Sequence, residues 1–185
     1  MEPFTAVAPV YDELMKQVPY RMWVGYYLLL LSQQDAHPKS LLDIGCGTGT
    51  MAQLLAKEGF EVTGIDASPR MIGEAKRKAA RSKLGPQFHE ADATRFELGR
   101  RFDAALSYFD TLNNILEGAR LQSALACVAR HLEPGGSFIF DLNTAYAFEN
   151  HMFDQKRLHP SAKLRYLWEG HYDPATRLIR VDMRF

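Results

Sequence analysis

Residues 41–49 read Leu41-Leu42-Asp43-Ile44-Gly45-Cys46-Gly47-Thr48-Gly49, an apolar run that breaks into alternating glycines. A short apolar run bounded by such a cluster is the signature of a buried strand, and Thr48 to Lys57 after it reads as a helix. Glycines between the two let the chain turn sharply and lay its backbone against a ligand with no Cβ in the way. A dinucleotide loop of this kind would need Gly at position 50, which is Thr50, and the third glycine comes one place early at Gly49. Asp43 also sets a negative charge near the helix N-terminus, where a pyrophosphate would otherwise bind. The loop suits a cationic, phosphate-free nucleoside better.

Working outward, short β-branched or apolar runs alternate with helical patterns from residue 39 to residue 143, which predicts a parallel sheet flanked by helices. The strands expected are Leu41–Gly45, Glu61–Asp66, Gln87–Asp92, Phe102–Tyr108 and Ser137–Asn143. Between them the pattern predicts helices over Thr48–Lys57, Pro69–Lys83 and Arg120–Leu132. Ser68-Pro69 opens the second as an N-cap followed by Pro in the first turn. Glu133-Pro134-Gly135-Gly136 reads as the turn that closes the third. Two aromatic-rich helical pieces, Val10–Gln17 and Tyr20–Gln34, come before the first strand, separated by Val18-Pro19. After the last one, Leu164–Tyr172 and Leu178–Phe185 alternate apolar and polar residues around Asp173-Pro174-Ala175-Thr176, the pattern of an antiparallel hairpin.

The whole chain has 185 residues, 46% of them hydrophobic, which predicts one domain with a full core. Its expected parts are a helical cap (1–38), a ligand-binding core (39–143) and the hairpin region (144–185). With 22 basic and 22 acidic residues the net charge is zero, which argues against a surface built to hold phosphate backbones, although a local basic patch stays open. The longest apolar run, Trp23 to Leu31, falls well short of the ~18 residues of a membrane span. The opening residues lack the order of a secretion signal, and a cytoplasmic protein is expected. Cys46 and Cys127 are too few for a disulfide framework, and the histidines share no metal-ligand spacing, so no metal site is expected.

The run 41–49 resembles the first motif of the class I S-adenosylmethionine-dependent methyltransferases, and the likeness extends over residues 39–143. It implies a Rossmann-like α/β fold and S-adenosylmethionine as cofactor, held at Asp43, Gly45, Cys46, Gly47 and Gly49. By the same resemblance Asp66, with Ala67 beside it, takes both ribose hydroxyls, and Asp92 with the amide of Ala93 reads the adenine edge. Met71 packs on the adenine face or simply belongs to the core. Ser107 and Tyr108 border the cofactor, and Asp110 to Asn113 face the acceptor.

Val7-Ala8-Pro9-Val10-Tyr11-Asp12-Glu13-Leu14-Met15 and Val18-Pro19-Tyr20-Arg21-Met22-Trp23 are similar to the N-terminal signature of small bacterial methyltransferases, many of unassigned substrate, and distantly to glycine N-methyltransferases. In that likeness Tyr11, Tyr20, Arg21 and Trp23 fold over the methionine part of the cofactor. The alternative for Tyr20, Arg21 and Trp23 is a helix that only packs on the sheet, with Arg21 reaching to water. The hairpin would roof the acceptor site, its His171 and Tyr172 either facing the acceptor or lying on an edge surface.

The expected function is transfer of a methyl group to N or O of an acceptor, a small molecule, with Asp110, Asp141 or His171 as the activating base. Two rivals stand beside it, a cofactor-binding regulatory or assembly module without turnover and a tRNA-modifying methyltransferase. The family pattern continues into two further core strands that this sequence lacks. A truncated chain is therefore expected, its fifth strand exposed and prone to self-association; the alternative is a hairpin that takes their place.

Overall fold

The computed structural model describes residues 4–81 and 85–185. They form two compact units that divide after Asp141.

The first unit is a five-stranded parallel sheet, β1 (Ser40–Ile44), β2 (Glu61–Asp66), β3 (Gln87–Glu90), β4 (Phe102–Ser107) and β5 (Leu132–Phe140), in the order β3-β2-β1-β4-β5. Its helices are α1 (Tyr11–Leu14), α2 (Tyr20–Gln33), α3 (Thr50–Lys57), α4 (Pro69–Ala79) and α5 (Gly118–Arg130). Short 3-10 turns over Ala8–Val10 and Met15–Gln17 flank α1. All of β1 is buried, as a central parallel strand covered on both faces must be. Leu41 packs with Val24, Tyr27 and Leu31 of α2 and with Met51 and Leu55 of α3. Leu42 and Ile44 point the other way, onto Ala105, Cys127 and Val128. These two half-cores fix the register that brings the C-terminal ends of the strands to one end of the sheet.

Some boundaries differ from the sequence expectation for local reasons. α3 begins at Thr50, because Gly49 at its N-cap holds a left-handed φ of 77° and keeps Thr48 in the turn. The Ser68 hydroxyl caps α4 as expected, accepting the Met71 amide, and the helix ends at Ala79; Lys83 lies outside the described residues. β3 stops at Glu90, which leaves Asp92 in a loop.

The larger correction concerns Glu133-Pro134-Gly135-Gly136, which is not a turn ahead of the last strand. α5 ends at Arg130, β5 starts at Leu132 opposite Phe102, and the next pair is Ala104 with Ser137. The surplus residues form a bulge within β5, which an edge strand admits because one side of it has no ladder to break.

The second unit is a separate three-stranded antiparallel sheet, β6 (Gln155–Arg157), β7 (Tyr166–Asp173) and β8 (Leu178–Arg184), in the order β6-β7-β8. The hairpin therefore does not extend the five-stranded sheet. Its turn is held by Asp173, whose carboxylate accepts the Ala175 amide at 3.0 Å and the Thr176 hydroxyl at 2.7 Å. β6 and the short helix α6 (Ala145–Glu149) carried no sequence signal strong enough to find. Phe148 of α6 packs on Phe153 and on Tyr172 of β7.

Among the described residues no helix is long and apolar enough to cross a membrane, and no cluster of His, Cys, Asp or Glu is arranged to hold a metal.

Candidate cofactor site at the strand ends

The glycine loop leaves β1 with Gly45, Gly47 and Gly49 all at positive φ (69°, 53° and 77°). At Gly49 a Cβ would stand 2.5 Å from Phe88 Cζ, so this glycine is needed for packing. Gly47 is different: a Cβ there would meet only the Tyr11 ring, at 3.8 Å. The loop is pinned by Asp66 at the end of β2. One carboxylate oxygen accepts the Gly47 amide at 2.9 Å and the other accepts the Ser68 amide at 2.8 Å.

Beneath the loop lies Asp43, 3% exposed. Burial, and then the nearby charge of Asp66, push its carboxyl up to about 7, against a stabilising amide from Ala52. Its Oδ2 is buried with no hydrogen-bond partner among the described residues. Such an oxygen costs roughly 1–3 kcal/mol relative to a satisfied one. Asp43 lines a small cavity together with Tyr11, Tyr20, Gly45, Cys46, Gly47, Tyr108 and Phe109, and among the described residues no Lys or Arg contributes to that wall. Burial raises Tyr11 to about 12, with the charges of Asp66, Asp110 and Asp12 adding to it, and burial raises Tyr20 as well. Both phenols therefore stay protonated donors. A carboxylate short of a partner, in a wall of aromatic rings and backbone, fits a cation without phosphate, a description that S-adenosylmethionine meets.

Behind the cavity the rings form a continuous wall. Trp23 lies 5.3 Å from Tyr108 and 5.4 Å from Phe109, and Tyr20 lies 5.1 Å from Phe109. Arg21, on the same helix, is exposed. Ser107 is buried and donates to the Ile44 carbonyl at 3.1 Å, which ties β4 to β1. Met71 is buried beside Ile72 and Ala75, and Ala67 is exposed at the end of β2.

Asp92 and Ala93 follow β3. Asp92 Oδ1 accepts both the amide and the hydroxyl of Thr94, while Oδ2 stands 3.3 Å from Arg120 and 3.6 Å from Arg95. Partial burial would raise this carboxyl, but the Thr94 bonds and the two arginines outweigh it and hold it below its ordinary value.

At the ends of β4 and β5 a second carboxyl pair meets. Phe109 and Asp110 both take left-handed φ, 60° and 69°, which side chains rarely adopt. The turn is secured by Asp141, whose Oδ2 accepts the Phe109 amide at 3.0 Å. Burial, and then the charge of Asp141, push Asp110 up to about 6, and burial raises Asp141 as well. Oδ1 of each is buried without a partner among the described residues. His171 stands on β7 in the second unit, with Nε2 3.3 Å from Asp182 Oδ2.

Sequence reasoning missed Thr48, Thr50, Met51 and Phe109 as lining residues. Thr48 and Phe109 adjoin residues that were singled out, so proximity to the motifs was the available signal.

Comparison with known proteins agrees with this geometry. The family model described as a methyltransferase domain matches residues 41–136. YqeM of Bacillus subtilis (strain 168), provisionally named a methyltransferase, is 30% identical over 98% of this chain and 72% of its own length. A protein of Geobacillus sp. (strain WCH70) with the same provisional name is 32% identical over 85% of this chain, which spans 64% of that relative. Among solved structures, an S-adenosylmethionine-dependent methyltransferase from Clostridium acetobutylicum ATCC 824 superposes with a TM-score of 0.77 at 23% identity, over 98% of this chain and 80% of that one. The strand order, the glycine loop pinned by Asp66 and these matches together place the chain in the methyltransferase-domain family of class I S-adenosylmethionine-dependent enzymes.

Proposed function

We propose that this chain transfers a methyl group from S-adenosylmethionine to a nitrogen or oxygen of a small-molecule acceptor. The observation that carries the reading is Asp43, which lines the cavity and among the described residues has one buried oxygen without a partner and no basic side chain beside it in the wall. A small acceptor is supported by relatives such as the dTDP-3-amino-3,4,6-trideoxy-alpha-D-glucopyranose N,N-dimethyltransferase of Streptomyces venezuelae, 33% identical over 60% of this chain and 46% of that protein.

When bound, S-adenosylmethionine supplies a methyl group on a sulfonium and departs as the neutral thioether S-adenosylhomocysteine. Asp43 supplies a carboxyl beneath the glycine loop that a cation draws into its charged form. Asp66 receives the ribose hydroxyls, Asp92 and the Ala93 amide receive the adenine edge, and Tyr11, Tyr20 and Arg21 attend the methionine part. Trp23, Tyr108 and Phe109 exclude water, which matters because positioning and desolvation supply most of a methyl transfer. Asp110 takes the proton that the acceptor N–H or O–H loses, and a carboxyl near 6 is suited to do so at neutral pH. Asp141 keeps Asp110 in place through the Phe109 amide.

The test is a thermal shift. At about 100 times their dissociation constants, S-adenosylmethionine and S-adenosylhomocysteine should each stabilise the fold by ~2.7 kcal/mol, several degrees in Tm, and NAD should not. A larger shift with NAD than with S-adenosylhomocysteine overturns the reading. A screen of metabolite and RNA pools with methyl-labelled cofactor then identifies the acceptor, and label found only in RNA overturns the small-molecule assignment.

A further inference from the structure

The residues before α2 are held to the core by more than their apolar contacts. Val7, Ala8 and Leu14 are buried, and the Thr5 hydroxyl lies 3.3 Å from that of Ser68. The polar anchor is Asp12, next to the Tyr11 that lines the cavity. Its Oδ1 accepts the Thr48 hydroxyl at 2.5 Å and its Oδ2 accepts Lys78 Nζ at 2.7 Å. Lys78 comes from the last turn of α4 and also donates to the hydroxyls of Thr48 at 3.2 Å and Thr50 at 3.0 Å. All three protons of the ammonium are thereby directed into one cluster, and the side chain is only 18% exposed. Thr48 is 3% exposed, so one face of the cluster is dry.

Three segments meet here: the N-terminal arm, the glycine loop with the first residue of α3, and the end of α4. Thr48 and Thr50 flank Gly49, and Asp12 follows Tyr11, so the cluster fixes how close the Tyr11 ring stands to the Gly47 backbone. Tyr11, Gly47 and Thr48 all line the cavity, so that gap belongs to its wall.

We propose that Asp12 and Lys78 are positioning residues for the cofactor: their clasp with Thr48 holds the Tyr11 arm against the glycine loop, and ligand exchange requires it to open. α2 stays in place, anchored by Val24, Tyr27 and Leu31, and the arm turns at Val18-Pro19, where Val18 is extended and Pro19 offers no amide. The ordinary assignment of such a pair, a surface ion bridge, is worth ~0–1 kcal/mol and would leave exchange unchanged. This one differs because the lysine is mostly buried and shares its acceptor with a buried hydroxyl.

The inference rests on the cofactor reading, so two measurements are paired on the full chain. Backbone hydrogen exchange over residues 8–17 needs no ligand. Lys78→Met and Asp12→Asn should each speed it at least tenfold at those amides while the amides of β1 and β4 keep wild-type rates, and Lys78→Arg should stay within threefold of wild type. Dissociation of labelled S-adenosylhomocysteine, chased with unlabelled ligand, should be at least tenfold faster in the first two variants and near normal in Lys78→Arg. Unchanged exchange over residues 8–17 in both Lys78→Met and Asp12→Asn overturns the clasp. Faster exchange with an unchanged ligand off-rate overturns the positioning role. If the wild type binds no S-adenosylhomocysteine, the cofactor reading and the positioning role fall together, and the hydrogen exchange alone still decides whether the clasp exists. Should one of the two variants fail to fold, Thr48→Val removes the bridging hydroxyl and must give the same acceleration.

Discussion

The Asp66 carboxylate joins two strand ends by accepting the amide of Gly47, nineteen residues away, at 2.9 Å and that of Ser68 at 2.8 Å. A residue expected to hold the ribose is thus also the one that shapes the loop in which the ribose would lie. Asp66→Ala should cost roughly 2–4 kcal/mol of cofactor affinity, since it removes charge-assisted acceptors from both amide and ligand. Asp66→Asn, which keeps one acceptor oxygen, should lose less. Calorimetry with S-adenosylhomocysteine on variants of native circular dichroism checks this, and equal affinity in all three proteins would remove Asp66 from the site.

The glycines of the loop should separate stability from binding. Gly49→Ala drives a Cβ to 2.5 Å from Phe88 Cζ at a φ of 77°, so it should destabilise by about 2–4 kcal/mol and lower Tm clearly. Gly47→Ala meets nothing closer than the Tyr11 ring at 3.8 Å, and its φ of 53° costs only about 1 kcal/mol. It should keep most of its Tm and lose cofactor affinity more than tenfold. Denaturation and calorimetry on the two variants provide the comparison, and the reverse ranking would mean that the loop is structural only.

Acidity should favour the ligand-free fold. Burial raises Asp43 to about 7 and Asp110 to about 6, so below the ordinary carboxylate range their contribution is fully present, and it is lost as pH rises through 6 and 7. The ligand-free Tm should therefore fall between pH 5.5 and pH 8. Asp43→Asn should flatten that slope and exceed the wild type at pH 8 by a few degrees, at ~2–4 °C per kcal/mol for a chain of this size. A cationic ligand reverses the preference: S-adenosylmethionine should bind more tightly at pH 8 than at pH 6 and release protons on binding. Calorimetry in buffers of different ionisation enthalpy reads that release, and proton uptake would contradict it.

Asp110 and Asp141 should fail in different ways. With the acceptor in hand, Asp110→Asn should lower kcat by ~10²–10⁴, the usual worth of a general base, and leave cofactor affinity within threefold. The wild-type rate should rise with pH through about 6 as the Asp110 carboxyl ionises. Asp141→Ala frees the Phe109 amide and so should lower Tm as well as kcat. If Asp110→Asn keeps full turnover, proton removal is left to solvent or to another group.

The five parallel strands and the glycine loop after the first of them were legible in the sequence because each rests on local signals. A parallel strand buried on both faces reads as an unbroken apolar run, and Asp66 stands where such a run ends. The turn after β4 was less legible. Phe109 and Asp110 adopt left-handed φ without being glycine, so nothing in their identity announces the turn that Asp141 holds. The clasp joins Asp12 to a lysine sixty-six positions away, a separation over which no periodicity reaches. Pro134-Gly135-Gly136 gave the expected break but not its place, since a turn before a strand and a bulge inside an edge strand use the same residues.

That bulge has a practical consequence. Phe102 opposite Leu132 and Ala104 opposite Ser137 anchor β5 on either side of it, so the strand keeps its phase whatever length of chain loops out between the anchors. Gly135 faces open space, whereas a Cβ on Gly136 would stand 2.9 Å from the Asp103 carbonyl. The join between Pro134 and Gly135 is therefore a natural splice point, where an inserted epitope or fluorescent reporter should leave the pairing of Ala104 with Ser137, and the strand that leads to Asp141, in register.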